Sequence, residues 1–94
     1  MANLDEALAI LQNKARRAIL ERLVREPHYP LQLAEQIGIS QQAVMKHLKL
    51  LEGAAFVVKM RVASNKGGLQ RIFTRYSRQF PFVLTLVQIY SSVI

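Results

Sequence analysis

The chain has 94 residues, a formal net charge of +7 at pH 7 and no cysteine; its length is typical of a single domain, 1–94. The absence of cysteine excludes disulfides and thiolate metal sites, while the positive charge favours a polyanionic partner, nucleic acid before an anionic membrane. The N-terminus lacks the pattern of a signal peptide, and the apolar C-terminal stretch is too short and too polar to span a bilayer. We therefore expect a cytoplasmic protein that does not enter a membrane.

Residues 4–25 form the first predicted helical segment. Asn3, with an acid three residues later, has the spacing of a capping box, and leucines at a helical repeat follow it. Asn13 either interrupts this helix or restarts it. Arg16 and Arg17 are expected on its solvent-exposed side, where they would contact DNA phosphates or only be hydrated.

Residues 30–52 predict two helices joined by a tight turn. Pro30 suits the first position of a helix because its φ is fixed. Gly38 follows at the place where a left-handed C-cap is needed, and Ser40 is a favourable N-cap for the second helix. We expect that helix to end near residue 52, with Gly53 as its C-cap.

The second of these helices carries the clearest functional pattern. Val44, Leu48 and Leu51 fall on one apolar face, while the rest of the helix carries amides and cations, with no acid before Glu52. An ordinary solvated face would more usually pair glutamate with lysine, whereas amides bond base edges and lysines bind phosphate or guanine. The pattern therefore favours a helix that enters the major groove of DNA over a plain surface helix. The candidate residues on it are Ser40, Gln41, Gln42, Met45, Lys46 and Lys49.

Residues 56–76 predict a β-hairpin, since two β-branched and aromatic stretches flank a glycine-rich loop. All six acids precede residue 53, and the following residues include basic side chains with no acid among them. This asymmetry indicates that the C-terminal half meets the anion. We expect Arg61 and Arg71 to contact phosphates and the tip, Lys66 with Gly67, to enter a minor groove; the alternative is a mobile hairpin tip.

The tail, 80–94, is ambiguous. Its apolar spacing fits a helix, but its β-branched and aromatic content without a clean polar face fits a buried strand at least as well, and we favour a strand from Phe80 to Val87. In either case its apolar surface exceeds what so small a domain covers, so we expect it to be a dimerisation tail. The whole order predicts a winged helix-turn-helix: an α+β fold, mainly α, with three to four helices, a hairpin wing and an apolar C-terminal strand or helix.

Three stretches carry a resemblance to a known family. NKARRAILERLV resembles the helix that opens regulators of the ArsR type, and GISQQAVMKHLKLLEGAAFVV is similar to their recognition helix and the beginning of their wing. RVASNKGGLQRIFTRYSRQF resembles the wing of short archaeal members. The resemblance covers roughly residues 4–86, and its motifs are fairly specific in this order.

The resemblance implies a homodimeric, sequence-specific repressor that binds double-stranded DNA through recognition helices in adjacent major grooves. Carried over residue by residue, it places Ser40, Gln41, Gln42 and Lys46 on the recognition helix, His47 on a histidine common in the family, Lys66 and Gly67 at the wing tip, and Arg71 on the returning strand. The chain lacks the cysteine-bearing site of the metal-sensing members, so we expect neither a metal nor another cofactor.

An enzyme is not expected, because the sequence shows no activated nucleophile, paired carboxylates or phosphate loop. The main alternative to a sequence-specific regulator is a nonspecific architectural or RNA-binding winged-helix protein. A third possibility is a protein-interaction module that uses the same fold.

Overall fold

Helices occupy most of the chain in a computed structural model, which describes residues 4–63, 70–79 and 81–93. The described residues form five helices and one antiparallel pair of strands, which confirms the predicted winged-helix fold class. The elements are α1 Leu4–Leu11, α2 Lys14–Arg25, α3 Pro30–Ile37, α4 Gln41–Gly53, β1 Val57–Ala63, β2 Gln70–Tyr76 and α5 Pro81–Val93. None of these helices is long and apolar enough to cross a bilayer.

The first helical segment consists of two helices because Asn13 restarts it. The Asn13 side chain accepts a hydrogen bond from the backbone N–H of Arg16 at 3.1 Å and so caps α2. Arg17 was predicted on the wet side, but that prediction is wrong. Its guanidinium is buried, donates to the carbonyl of Leu11 at 2.7 Å and lies 5.2 Å from the centre of the Tyr90 ring. The predicted cap of α1, Asn3, lies outside the described residues.

The helix-turn-helix begins and turns where the sequence predicted. Pro30 is the first residue of α3, and Gly38 ends that helix in the left-handed conformation, with φ 82° and ψ 32°. The Ser40 hydroxyl then accepts a hydrogen bond from the N–H of Ala43 at 3.0 Å. These three local signals set the angle at which α4 leaves α3.

The C-terminal end of α4 differs from the prediction. Gly53 is the last helical residue, and the left-handed position falls on Ala55, with φ 64°. The N–H of Ala55 donates to the carbonyl of Glu52 at 2.9 Å, and the N–H of Phe56 donates to the carbonyl of Leu51 at 2.9 Å. This is the hydrogen-bond pattern of a Schellman motif, in which glycine normally takes the position that alanine takes here.

The hairpin is antiparallel, and its register pairs Val57 with Tyr76 at one end and Ala63 with Gln70 at the other. The connector before α3 is joined to it by a single antiparallel β-bridge between His28 and Thr74. His28 donates its N–H to the carbonyl of Thr74 at 3.0 Å and accepts from the N–H of Thr74 at 2.9 Å. These bonds fix the hairpin to the end of the α2–α3 connection.

The tail is a helix, so the preference for a strand over 80–87 is wrong. Val83 and Val87 are buried, and α5 packs against α1 and α2. The absence of a clean polar face, which favoured a strand, has another cause: Phe82, Ile89 and Val93 remain exposed on a second apolar strip of the same helix. The core contains side chains from all five helices and from the hairpin.

Candidate nucleic-acid interface

One face of α4 presents the predicted contact residues together. Opposite the buried Val44, Leu48 and Leu51, the helix exposes amide, cationic and thioether side chains. A helix can offer this face to a groove because its apolar side is already fixed against α2, α3 and β1. The exposed predicted residues are Ser40, Gln41, Gln42, Met45, Lys46 and Lys49.

Ser40 lies at the N-terminus of α4, where backbone N–H groups favour an anion. Its hydroxyl is occupied as the N-cap, and its side chain is exposed. The other backbone N–H groups of the first turn point outward along the helix axis, where the helix dipole favours negative charge. Gln41 and Gln42 stand in that same turn, so donors and amides are concentrated at the N-terminal end of α4.

The hairpin contributes one predicted contact whose side chain the structure describes. Arg61 is exposed on β1. Arg71 lies on β2 with its backbone opposite Val62, and only that backbone position is described. Lys66 and Gly67, the predicted wing tip, lie outside the described residues, so their roles remain predictions.

A small concavity lies between α4 and the hairpin, and one of its two cations is not among the contacts predicted from the sequence. Lys59 of β1 and Lys49 of α4 both line it, and Lys59 Nζ lies 3.4 Å from a carboxylate oxygen of Glu52. The alternation of β1 was the available signal, because it placed Lys59 on the same face of the strand as Arg61. The remaining lining residues are Pro30, Met45, Leu48 and Thr74.

His47 is half-buried on α4, unlike the exposed lysines of that helix. Its Nδ1 and the Nε of Arg16 are both buried without a hydrogen-bond partner among the described residues. Burial, together with the Arg16 charge, lowers the pKa of His47 from its ordinary 6.5. The lowered pKa favours the neutral ring, and the effect of the Arg16 charge shows that the ring lies near α2.

His28 is also a buried residue of the framework. Its Nδ1 lies 2.9 Å from the carbonyl oxygen of Glu26. Across the described parts of the chain, no three His, Cys, Asp or Glu side chains come together as metal ligands. In the described part of the chain, the exposed face of α4 presents amides and cations.

Comparison with known proteins places this surface in a known kind of domain. A family model described as a helix-turn-helix domain matches residues 11–59, which extend from the end of α1 into β1 and make up just over half of the chain. The match includes both helices of the motif and the beginning of the hairpin.

Among curated proteins, the chain is similar to the HTH-type transcriptional regulator Rv2034 of Mycobacterium tuberculosis, with 42% identity over 53 residues. The aligned part is 56% of this chain and 50% of the relative, so the chain spans about half the length of that relative.

Solved structures extend the similarity to nearly the whole chain. NolR from Sinorhizobium fredii has a TM-score of 0.75 and 27% identity, covering 95% of this chain and 81% of that one. The transcriptional repressor BigR from Xylella fastidiosa has a TM-score of 0.72 and 22% identity, covering 97% and 82%. At its lower identity, the likeness to BigR shows the fold alone.

Proposed function

The chain belongs to the helix-turn-helix domain family, and from that premise we propose that it is a sequence-specific regulator of transcription that binds double-stranded DNA as a homodimer. The observation that carries this proposal is the exposed face of α4. Amides fill its first turn, lysines follow one and two turns later, and its first acid is Glu52. Such a face suits a polyanion whose base edges offer both hydrogen-bond donors and acceptors.

The face contains residues that distinguish the DNA sequence and residues that position the helix on the DNA backbone. Gln41 and Gln42 lie in the N-terminal turn, the part of a recognition helix that contacts base edges, and a glutamine can bond adenine through N6 and N7. Met45 offers an apolar contact to a thymine methyl group. Lys46 and Lys49 bind phosphates, which adds affinity without sequence information.

The second apolar strip of α5 supports the homodimer. Phe82, Ile89 and Val93 follow one another at i, i+7 and i+11 and are 41%, 52% and 80% exposed. Leu4 at the beginning of α1 is also 58% exposed, and α1 packs beside α5. A two-fold axis beside this surface would cover the strip with its own copy. Two copies of α4 would then read half-sites about 10–10.5 base pairs apart.

The finer assignment is a repressor of the ArsR type. It is supported by the resemblance of residues 13–24 and 38–58 to that type of regulator and by the resemblance of residues 61–80 to its short archaeal members. Without a cysteine-bearing site, such a repressor would be released by something other than thiolate-bound metal.

The test compares two substitutions on α4 by their effects on a selected binding site and on a scrambled duplex. Gln42→Ala should reduce the binding free energy by about 1–3 kcal/mol for the selected site and leave it unchanged for the scrambled duplex. Lys46→Ala should weaken both equally and reduce the slope of log K against log salt by about 0.9. Gln12→Ala and Lys14→Ala, which remove an exposed amide and an exposed cation at the α1–α2 connection, are the matched controls.

Other outcomes identify the alternative functions. Equal losses on both duplexes for Gln42→Ala, or tighter binding to structured RNA, would indicate a nonspecific or RNA-binding winged helix. Unchanged nucleic-acid binding in both α4 variants would point to a protein-interaction module.

A further inference from the structure

The boundary between α4 and the hairpin is where a DNA strand must pass, if the proposed function holds. The sugar–phosphate backbone separates the major groove from the minor groove. A protein with α4 in one groove and its hairpin at the next therefore has one backbone strand between them.

The concavity at that boundary carries two cations that suit a DNA phosphate. Its apolar residues are Pro30, Met45 and Leu48, and its two cations, Lys49 and Lys59, come from α4 and β1. Both lysine side chains are exposed. Two cations that line one concavity from different elements can hold one backbone segment and so fix the register of the helix on the duplex.

Glu52 occupies the same boundary, one turn after Lys49. Its carboxylate lies 3.4 Å from Lys59 Nζ, with the Lys59 and Glu52 side chains 50% and 43% exposed. An ion pair so open to water is weak, so a phosphate can replace the carboxylate as the partner of the lysine. The Glu52 carboxylate also repels an approaching DNA phosphate.

We propose that Lys59 is a DNA-positioning residue and that Glu52 competes with the DNA backbone for it. In the free protein, Lys59 is paired with Glu52 at the edge between α4 and β1. On binding, Lys59 exchanges the carboxylate for a phosphate, and the lost ion pair reduces the affinity for every duplex. Glu52 therefore limits electrostatic binding to DNA of any sequence.

The test is a double-mutant cycle with Glu52→Gln, Lys59→Gln and the double variant, measured by anisotropy on a selected site and a scrambled duplex over 50–250 mM salt. Glu52→Gln should tighten binding to both duplexes about three- to tenfold. Lys59→Gln should weaken both and reduce the salt slope by about 0.9, while Lys59→Arg should retain it. Glu52→Gln should gain about two- to fivefold less in the Lys59→Gln background, because no ion pair is left to break.

Arg25→Gln and Glu26→Gln are the matched controls, since both residues are exposed and line a different groove, with His28 and Gln36. They should change affinity less than twofold. If wild-type protein binds DNA but Glu52→Gln weakens binding, or if the cycle is additive, the exchange is overturned while the proposed function stands. If wild-type protein binds neither duplex, the proposed function fails first.

Discussion

Exchanging the glycine and the alanine at the end of α4 should stabilise the protein. Ala55 holds the left-handed position with φ 64°, where a side chain is strained, while Gly53 occupies an ordinary helical position. A Cβ built on Gly53 meets no atom within 4 Å. Gly53→Ala therefore adds helix propensity without a clash, and Ala55→Gly relieves the left-handed strain.

The magnitude follows from two opposing backbone effects. Ala55→Gly gains about 1–2 kcal/mol of relieved strain and loses about 0.5–1 kcal/mol through the freer unfolded chain, for a net gain of about 0.5–1 kcal/mol. Gly53→Ala adds about 0.5–1 kcal/mol in the last helical turn. The double variant should gain about 1–2 kcal/mol in the free energy of unfolding, or roughly 4–16 °C in Tm for a domain of this size.

Urea unfolding followed by circular dichroism at one fixed protein concentration measures the gain, because association with a second copy would itself shift the midpoint. The control is Ala54→Gly, at a buried residue with φ −87°, which should lose about 1 kcal/mol. A loss of stability in Ala55→Gly would refute the assignment of the Schellman motif.

Three further predictions concern the framework and the interface between copies. The lowered pKa of His47 means that the unfolded chain takes up a proton first, so the free energy of unfolding should fall as pH drops below about 6.5; His47→Gln should flatten that dependence in urea titrations at pH 5–8. Arg17→Ala should lower the free energy of unfolding by about 2–4 kcal/mol, since it leaves the buried carbonyl of Leu11 unpaired and removes the stacking on Tyr90. Arg25→Ala, at an exposed position, should lower it by less than about 0.5 kcal/mol. Equal losses would contradict the buried role of Arg17. Ile89→Asp should yield monomers in sedimentation velocity while Gln88→Asp does not, and a dimer that survives Ile89→Asp would exclude the α5 strip as its interface.

The helix-turn-helix could be predicted closely because its limits depend on local chemistry. Pro30 begins α3, Gly38 supplies the left-handed turn and Ser40 caps α4, and each acts through its own backbone or that of a residue three positions away. The exposed face of α4 followed from the same helical spacing. The end of α4 was misjudged because the left-handed position fell on an alanine, which the sequence does not mark.

The remaining features depend on contacts distant in the chain. Arg17 looked hydrated by composition, but its partners are the end of α1 and a tyrosine 73 positions later on α5. The sequence of the tail favoured a strand because it has no clean polar face. In α5, one apolar strip is buried and a second is exposed, so most sides of the helix are apolar. Lys59 was not among the predicted contacts because its pairing with Glu52 and its place beside Lys49 in the concavity arise only when the hairpin folds against α4.

The central claim is that α4 reads a DNA sequence, and the most direct test is the affinity for a selected site. Genomic fragments bound by the purified protein would define that site, and its affinity would be compared with that for a scrambled duplex of equal length and composition at 0.15 M salt. We predict a two-fold symmetric site bound at least about 10³-fold more tightly than the scrambled duplex. Equal affinity for the two duplexes would contradict the claim.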